Sequence, residues 1–145
     1  ASLLNARLVG RYGMRQLSHA ALLGAVVVNV VHVLFALVFG ESFWVFFALM
    51  AATMFAMGLV ISNFNALALE PLGRIAGTAS AAFGFITTTS SAIVGGVIGQ
   101  FYNGTATPMV LGFAGATAVG VLIVLATEKG VLFRAAPPQH EHEHG

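Results

Sequence analysis

No cysteine occurs among the 145 residues. Disulfides and cysteine-ligated metals are excluded, and the redox compartment leaves no trace. Charge is nearly as scarce. Asp, Glu, Lys and Arg make up 8% of the chain, against about a quarter in ordinary globular domains. Hydrophobic residues make up 58%. A soluble protein with so little charge would precipitate, which places the chain in the membrane class. The basic residues are scattered and form no patch, so nucleic acid is not expected as a partner. The apolar segments contain no nucleophile–base pair, phosphate-cradling loop or metal cluster. The chain therefore does not read as an enzyme, and neither a metal nor a cofactor is expected. The opening ASLLNARLVGRYGMR lacks a signal-peptide cleavage pattern, and the span after it is far longer than a signal h-region. The chain reads as beginning in mid-protein.

What is present is a series of long apolar segments. A basic stretch, residues 1–15, is expected to be a cytoplasmic loop carrying Arg7, Arg11 and Arg15. Spans are predicted over residues 16–39, 43–69, 76–102 and 108–127, with residues 70–75 as a second cytoplasmic loop. Residues 128–145 form a polar cytoplasmic tail ending PPQHEHEHG. Its imidazoles have metal-binding composition, but the tail reads as disordered and solvated. Each span can cross a hydrocarbon layer of about 30 Å. In lipid the backbone must pair within itself, and the alternating strands of a barrel are absent. The expected class is an all-α membrane protein with four transmembrane helices.

If the spans alternate, Arg7, Arg11, Arg15, Arg74, Lys129 and Arg134 all fall on one side and Glu41 on the other. This asymmetry predicts that both ends and the Glu70–Arg74 corner face the cytoplasm. Trp44 and Tyr102 then lie at the outer interface and Tyr12 at the inner one.

Three stripes carry the candidate chemistry. At about 100° per residue, Gly77, Ser80, Ala81, Gly84, Thr87, Thr88, Ser91, Gly95 and Gly99 project within roughly 60° of Gly84. Such a small, weakly polar face suits close helix packing, or a surface that slides during a transport cycle. On the second span Phe46, Met50, Thr53, Met54, Met57, Ile61 and Phe64 share one side. Asn65 lies at its edge and Asn63 points the other way. Methionine-rich surfaces suit varied apolar ligands, although lipid contact or core packing explains any single Met as well. Met50, Thr53, Met54, Met57, Asn65, Ser80, Gly84, Thr87, Thr88 and Ser91 are the substrate-pathway candidates. On the first span Ala25, Asn29, His32 and Ala36 form a small, polar stripe. His32 is a proton-relay candidate; a neutral imidazole bonded to Asn29 or a carbonyl is the plainer alternative.

Two motifs resemble a known family. Ala6, Leu8, Arg11, Gly13 and Arg15 match the second copy of the cytoplasmic signature of the major facilitator superfamily. Gly10 stands where that signature has Asp, which weakens a charge relay, and Met14 where it often has Arg. Asn63, Asn65, the run Ala66-Leu67-Ala68-Leu69-Glu70-Pro71 and Ala76-Gly77-Thr78-Ala79-Ser80-Ala81 resemble the bicyclomycin-resistance (Bcr/CflA) type of multidrug efflux transporter. Gly95-Gly96, Gly99-Gln100, Tyr102-Asn103-Gly104-Thr105 and Pro108 fit the same pattern. The resemblance implies that the four spans are helices nine to twelve of twelve, a partial C-terminal bundle. The second and third spans would line the cavity.

The resemblance further implies proton-coupled export of small, largely apolar, drug-like substrates by alternating access in a bacterial cytoplasmic membrane. Its partners would be protons, the lipid bilayer and the missing N-terminal helices of the same protein. No carboxylate lies inside a span here, so the fragment is expected to be inactive alone. Two alternatives stand beside this reading: a complete small four-helix exporter acting as a dimer, and a membrane structural subunit with no transport role.

Overall fold

The computed structural model describes residues 2–40, 42–129 and 132–133. Glu41, Arg134 and the HEHEH tail, all used above, lie outside the described residues. The described chain is all helical: α1 (Ser2–Tyr12), α2 (Met14–Phe39), α3 (Phe43–Leu69), a 3-10 segment (Glu70–Ile75), α4 (Ala76–Gln100) and α5 (Thr107–Thr127). Even the shortest long helix, α5, has 21 residues and measures about 31 Å at 1.5 Å per residue. Three continuous stretches are long and apolar enough to cross a membrane: Met14–Phe39, Phe43–Gln100 and Thr107–Thr127. The middle stretch contains the 3-10 segment and divides there into α3 and α4.

The breaks have local causes. Gly13 takes φ 81 between α1 and α2, and Gly40 takes φ 76 just past α2. A side chain in that region clashes with its own backbone, whereas glycine enters it freely. Pro108 sits in the first turn of α5, where its missing N–H would have had no partner. The turn before it is closed by Asn103, whose Oδ1 accepts from Thr105 N at 3.2 Å and from Thr105 Oγ1 at 2.7 Å.

Three expectations need correction. Residues 1–15 are not a loop, since Ser2–Tyr12 is helical. The run SLLNARLV has no breaker of helical geometry, and the first glycine with positive φ is Gly13. The Glu70–Ile75 corner is also not a loop but about two turns of tighter helix. Pro71 occupies its first turn, where proline is tolerated. Residues 101 and 102 fall outside the third long helix, which ends at Gln100.

Helix α2 is the hub, with α3 and α5 packed along it. Both run antiparallel to it. Asn29 at its middle meets Thr53 of α3 and Thr117 of α5, and Arg15 at its start meets Glu128 just past α5. Near that same end Ala21, Leu22, Leu59 and Val60 form the apolar core, with Met57, Phe64, Val121 and Val124 against it. Since α3 finishes at the Arg15 end and α5 starts at the opposite one, α4 must traverse the whole length between them.

Helix α4 nevertheless stands apart. None of its residues is buried, and it meets α5 where Ile98 lies against Gly112. Among the described residues, the basic side chains all belong to the Arg15 end: Arg7 and Arg11 on α1, Arg15, Arg74 after α3, and Lys129 after α5.

Ala25 of α2 is fully buried. Enlarging it would wedge the helices apart, so A25L is expected to destabilise the chain by about 1–3 kcal/mol. Reversible unfolding in mixed micelles measures this; an unchanged midpoint would mean the hub does not exist.

Candidate functional site

The interior of the α2–α3–α5 unit is polar along one line. Asn29 donates from Nδ2 to Thr117 Oγ1 at 3.5 Å. Its Oδ1 accepts from Thr53 Oγ1 at 3.3 Å. Thr117 is anchored in turn to its own helix, donating towards Phe113 O at 2.9 Å and Ala114 O at 3.0 Å. All three side chains are buried. One residue from each helix thus joins a single network, which locks the three rotations together.

His32 lies one turn further along α2, buried, with its ring 5.4 Å from that of Phe46. The cavity beside it, between Gly40, Ser42, Val45, Phe46 and Val110, holds about 10 Å³. That is about the space needed for one water molecule.

At the other end of α2 a second polar group forms. Arg15 Nε lies 3.1 Å from Glu128 Oε1. His19, 2% exposed, sits behind this pair with Nε2 3.9 Å from the same oxygen. Its Nδ1 accepts from the backbone N–H of Phe133 at 3.2 Å, so the neutral ring carries its proton on Nε2. Phe64 and Phe133 flank the ring at 6.5 and 5.8 Å. On the α1 side Asn5 and Asn63 exchange hydrogen bonds of 3.2 and 2.7 Å, and Asn63 Nδ2 also donates to Leu59 O at 2.8 Å.

The structure separates the substrate-pathway candidates. Thr53 is fully buried in the Asn29 network and is a structural tie rather than a wall of a path. Met57 packs against the apolar core and Met50 is half-buried, whereas Met54 is exposed. The α3 stripe therefore divides: Phe46, Thr53, Met57 and Phe64 turn towards α2, while Met54 and Ile61 face outwards. Asn65 is exposed, and Asn63 is the asparagine that joins two helices. Ser80, Gly84, Thr87, Thr88 and Ser91 are all on the open surface of α4, Ser80 and its neighbours included, since no residue of that helix is buried. Thr87 returns its hydroxyl to Phe83 O at 2.7 Å. Towards the end of α4, Ser91, Gly95 and Gly99 border shallow grooves shared with α5, while Gly77, Ser80, Gly84, Thr87 and Thr88 are exposed.

The residues of the Arg-rich motif are brought together at one end. Gly13 makes the α1–α2 break, Arg15 pairs with Glu128 and Leu8 lines a groove with Tyr12, Gln16, Leu17 and Phe133. The Arg11 guanidinium lies 5.5 Å from the Tyr12 ring centre, while Ala6 is exposed. His19 and its link to Glu128 escaped the reading of the sequence. The signal was available: the Ala25–Asn29–His32 stripe, continued towards the start of α2, reaches Leu22 and Ser18 beside His19. No known family model, curated protein or solved structure matches this chain.

Asn29→Ala removes both ends of the three-helix tie. It is expected to cost about 1–2 kcal/mol, whereas Thr87→Val on the open face is expected to cost nothing measurable. A loss from T87V equal to that from N29A in the same unfolding assay would show that the buried network is not special.

Proposed function

We propose that this chain is the C-terminal four-helix part of a proton-driven exporter of small apolar compounds, of the major facilitator type. The observation that carries the reading is helix α4. It is 25 residues long, apolar, and without one buried residue, and it carries its Gly/Ser/Thr face open beside a packed three-helix unit. In lipid, helices associate through close backbone approach rather than hydrophobic burial. A small-residue face is suited to receiving a further helix, as the missing N-terminal helices of a twelve-helix transporter would require. The alternation of four helices with all described basic side chains at one end accords with that topology, with the basic end in the cytoplasm.

In this reading α3 and α4 border the substrate path, with Met54, Asn65, Ser80, Gly84, Thr88 and Ser91 on their open surfaces. The Asn29 network holds α2, α3 and α5 as one body, the rigid unit that rocking about a midplane site demands. The coupling carboxylate belongs to the other half of the protein. His32, enclosed by Phe46 and Val110, serves packing.

The absence of cysteine makes orientation directly measurable. A single cysteine replacing Arg74 is expected to react with a membrane-impermeant maleimide only after cells are opened. One replacing Asn103 is expected to react in intact cells. The reverse pattern, or equal labelling, would overturn the topology. For activity, pump-deficient bacteria expressing this chain alone are expected to accumulate ethidium normally. Cells expressing the open reading frame extended upstream are expected to accumulate less until an uncoupler is added. Export by the chain alone would replace this reading with that of a complete small exporter.

A further inference from the structure

At the basic end of the bundle a groove of about 390 Å³ opens between α3 and α5, with α2 as its floor. Its walls are Leu22, Val60, Phe64, Ile123 and Val124, and its polar end is His19 with Glu128. Small-molecule sites have this character: some hundreds of Å³, mostly apolar, with a few convergent polar groups.

The polar end is incomplete. His19 is only 2% exposed and its Nε2 has no hydrogen-bond partner among the described residues, although the neutral ring carries its proton there because Nδ1 accepts from Phe133 N–H. Glu128 Oε1 stands 3.9 Å away, beyond hydrogen-bond reach. It is already held by Arg15 at 3.1 Å. A buried donor left unmet is costly. An oxygen set beside the two atoms can stand at about 2.8 Å from each of them, within hydrogen-bond distance of both. The group that completes the site must accept from Nε2–H and donate to the carboxylate. A hydroxyl does both with a single atom. An ammonium can only donate, and an ether or ketone can only accept.

We propose that this groove binds small apolar alcohols or phenols, the hydroxyl bridging His19 Nε2 and Glu128 and the apolar body lying among Leu22, Val60, Phe64, Ile123 and Val124. The proposal names a ligand class for the transport reading but depends on it at no step. A compound that binds here without being exported would sustain the site and leave the transport reading to its own test.

The test uses the full chain in lipid nanodiscs, with radiolabelled para-butylphenol as the probe and empty nanodiscs subtracted for partitioning. Saturable binding is expected, and the methyl ether of the same compound is expected to bind at least about tenfold more weakly, since it cannot donate to the carboxylate. His19→Phe keeps a ring but removes the donor, and a similar loss is expected. Ile123 is exposed at the rim, so Ile123→Trp obstructs the mouth without entering the core and is expected to abolish binding. Equal binding of phenol and ether, or none above empty nanodiscs, would overturn the proposal. The gap would then be bridged by water alone. The phenol–ether comparison is made on the unaltered chain, so it decides the matter even if a variant fails to fold.

Discussion

In a bilayer core, a polar group can find no water, and the arrangement of this chain stems from that shortage. Away from the first and last turns, the backbone N–H and C=O groups of the apolar segments are answered within their own helices. The few polar side chains cannot be answered in that way alone, so they turn towards one another. Asn29, Thr53 and Thr117 meet at the axis of three helices, and Asn5 and Asn63 join α1 to α3. Such bonds between helices contribute on average roughly 0.6 kcal/mol and up to about 2 kcal/mol each. Their larger effect is on register. An Asn amide placed one residue away would face a different side of its helix and meet no partner.

The same shortage explains why the two ends of α2 differ. The Gly40 end carries apolar and aromatic side chains, and His32 is enclosed there by Phe46 and Val110. Among the described residues, the charged side chains lie at the Arg15 end. Arg15 is 43% exposed in its side chain, so its ion pair with Glu128 is close to solvent and contributes little stability by itself. What the pair does is hold a carboxylate beside a buried imidazole. Position, not strength, gives that corner its chemical interest.

Helix α4 is the counterexample within the fold. It has the length and apolarity of its neighbours, yet among the described residues no polar side chain on it hydrogen-bonds to another helix. Its Ser and Thr hydroxyls can be answered by its own carbonyls, as Thr87 is by Phe83 and Gly84. A helix with no obligation to a neighbour is free to stand apart, which leaves its small-residue face open.

The helices themselves were legible in the sequence, because apolar length and scarce charge leave lipid-facing backbone no other solution. The interruptions after residue 39 and around Asn103–Pro108 were legible too, since each rests on the chemistry of one or two residues, whereas the break at Gly13 was not, because no helix was expected before it. The helical character of residues 2–12 and of Glu70–Ile75 was missed, because short polar segments take their conformation from the longer helices they adjoin. The α3 stripe could be drawn from periodicity, but periodicity does not say which neighbour a stripe faces. Only the tertiary structure assigned Thr53 to Asn29, chose Asn63 over Asn65 as the joining residue, and brought Glu128 across 113 positions to Arg15. Helix formation is a local consequence of sequence in lipid. The pairing of polar side chains is a choice among distant partners, and it is settled only when whole helices pack.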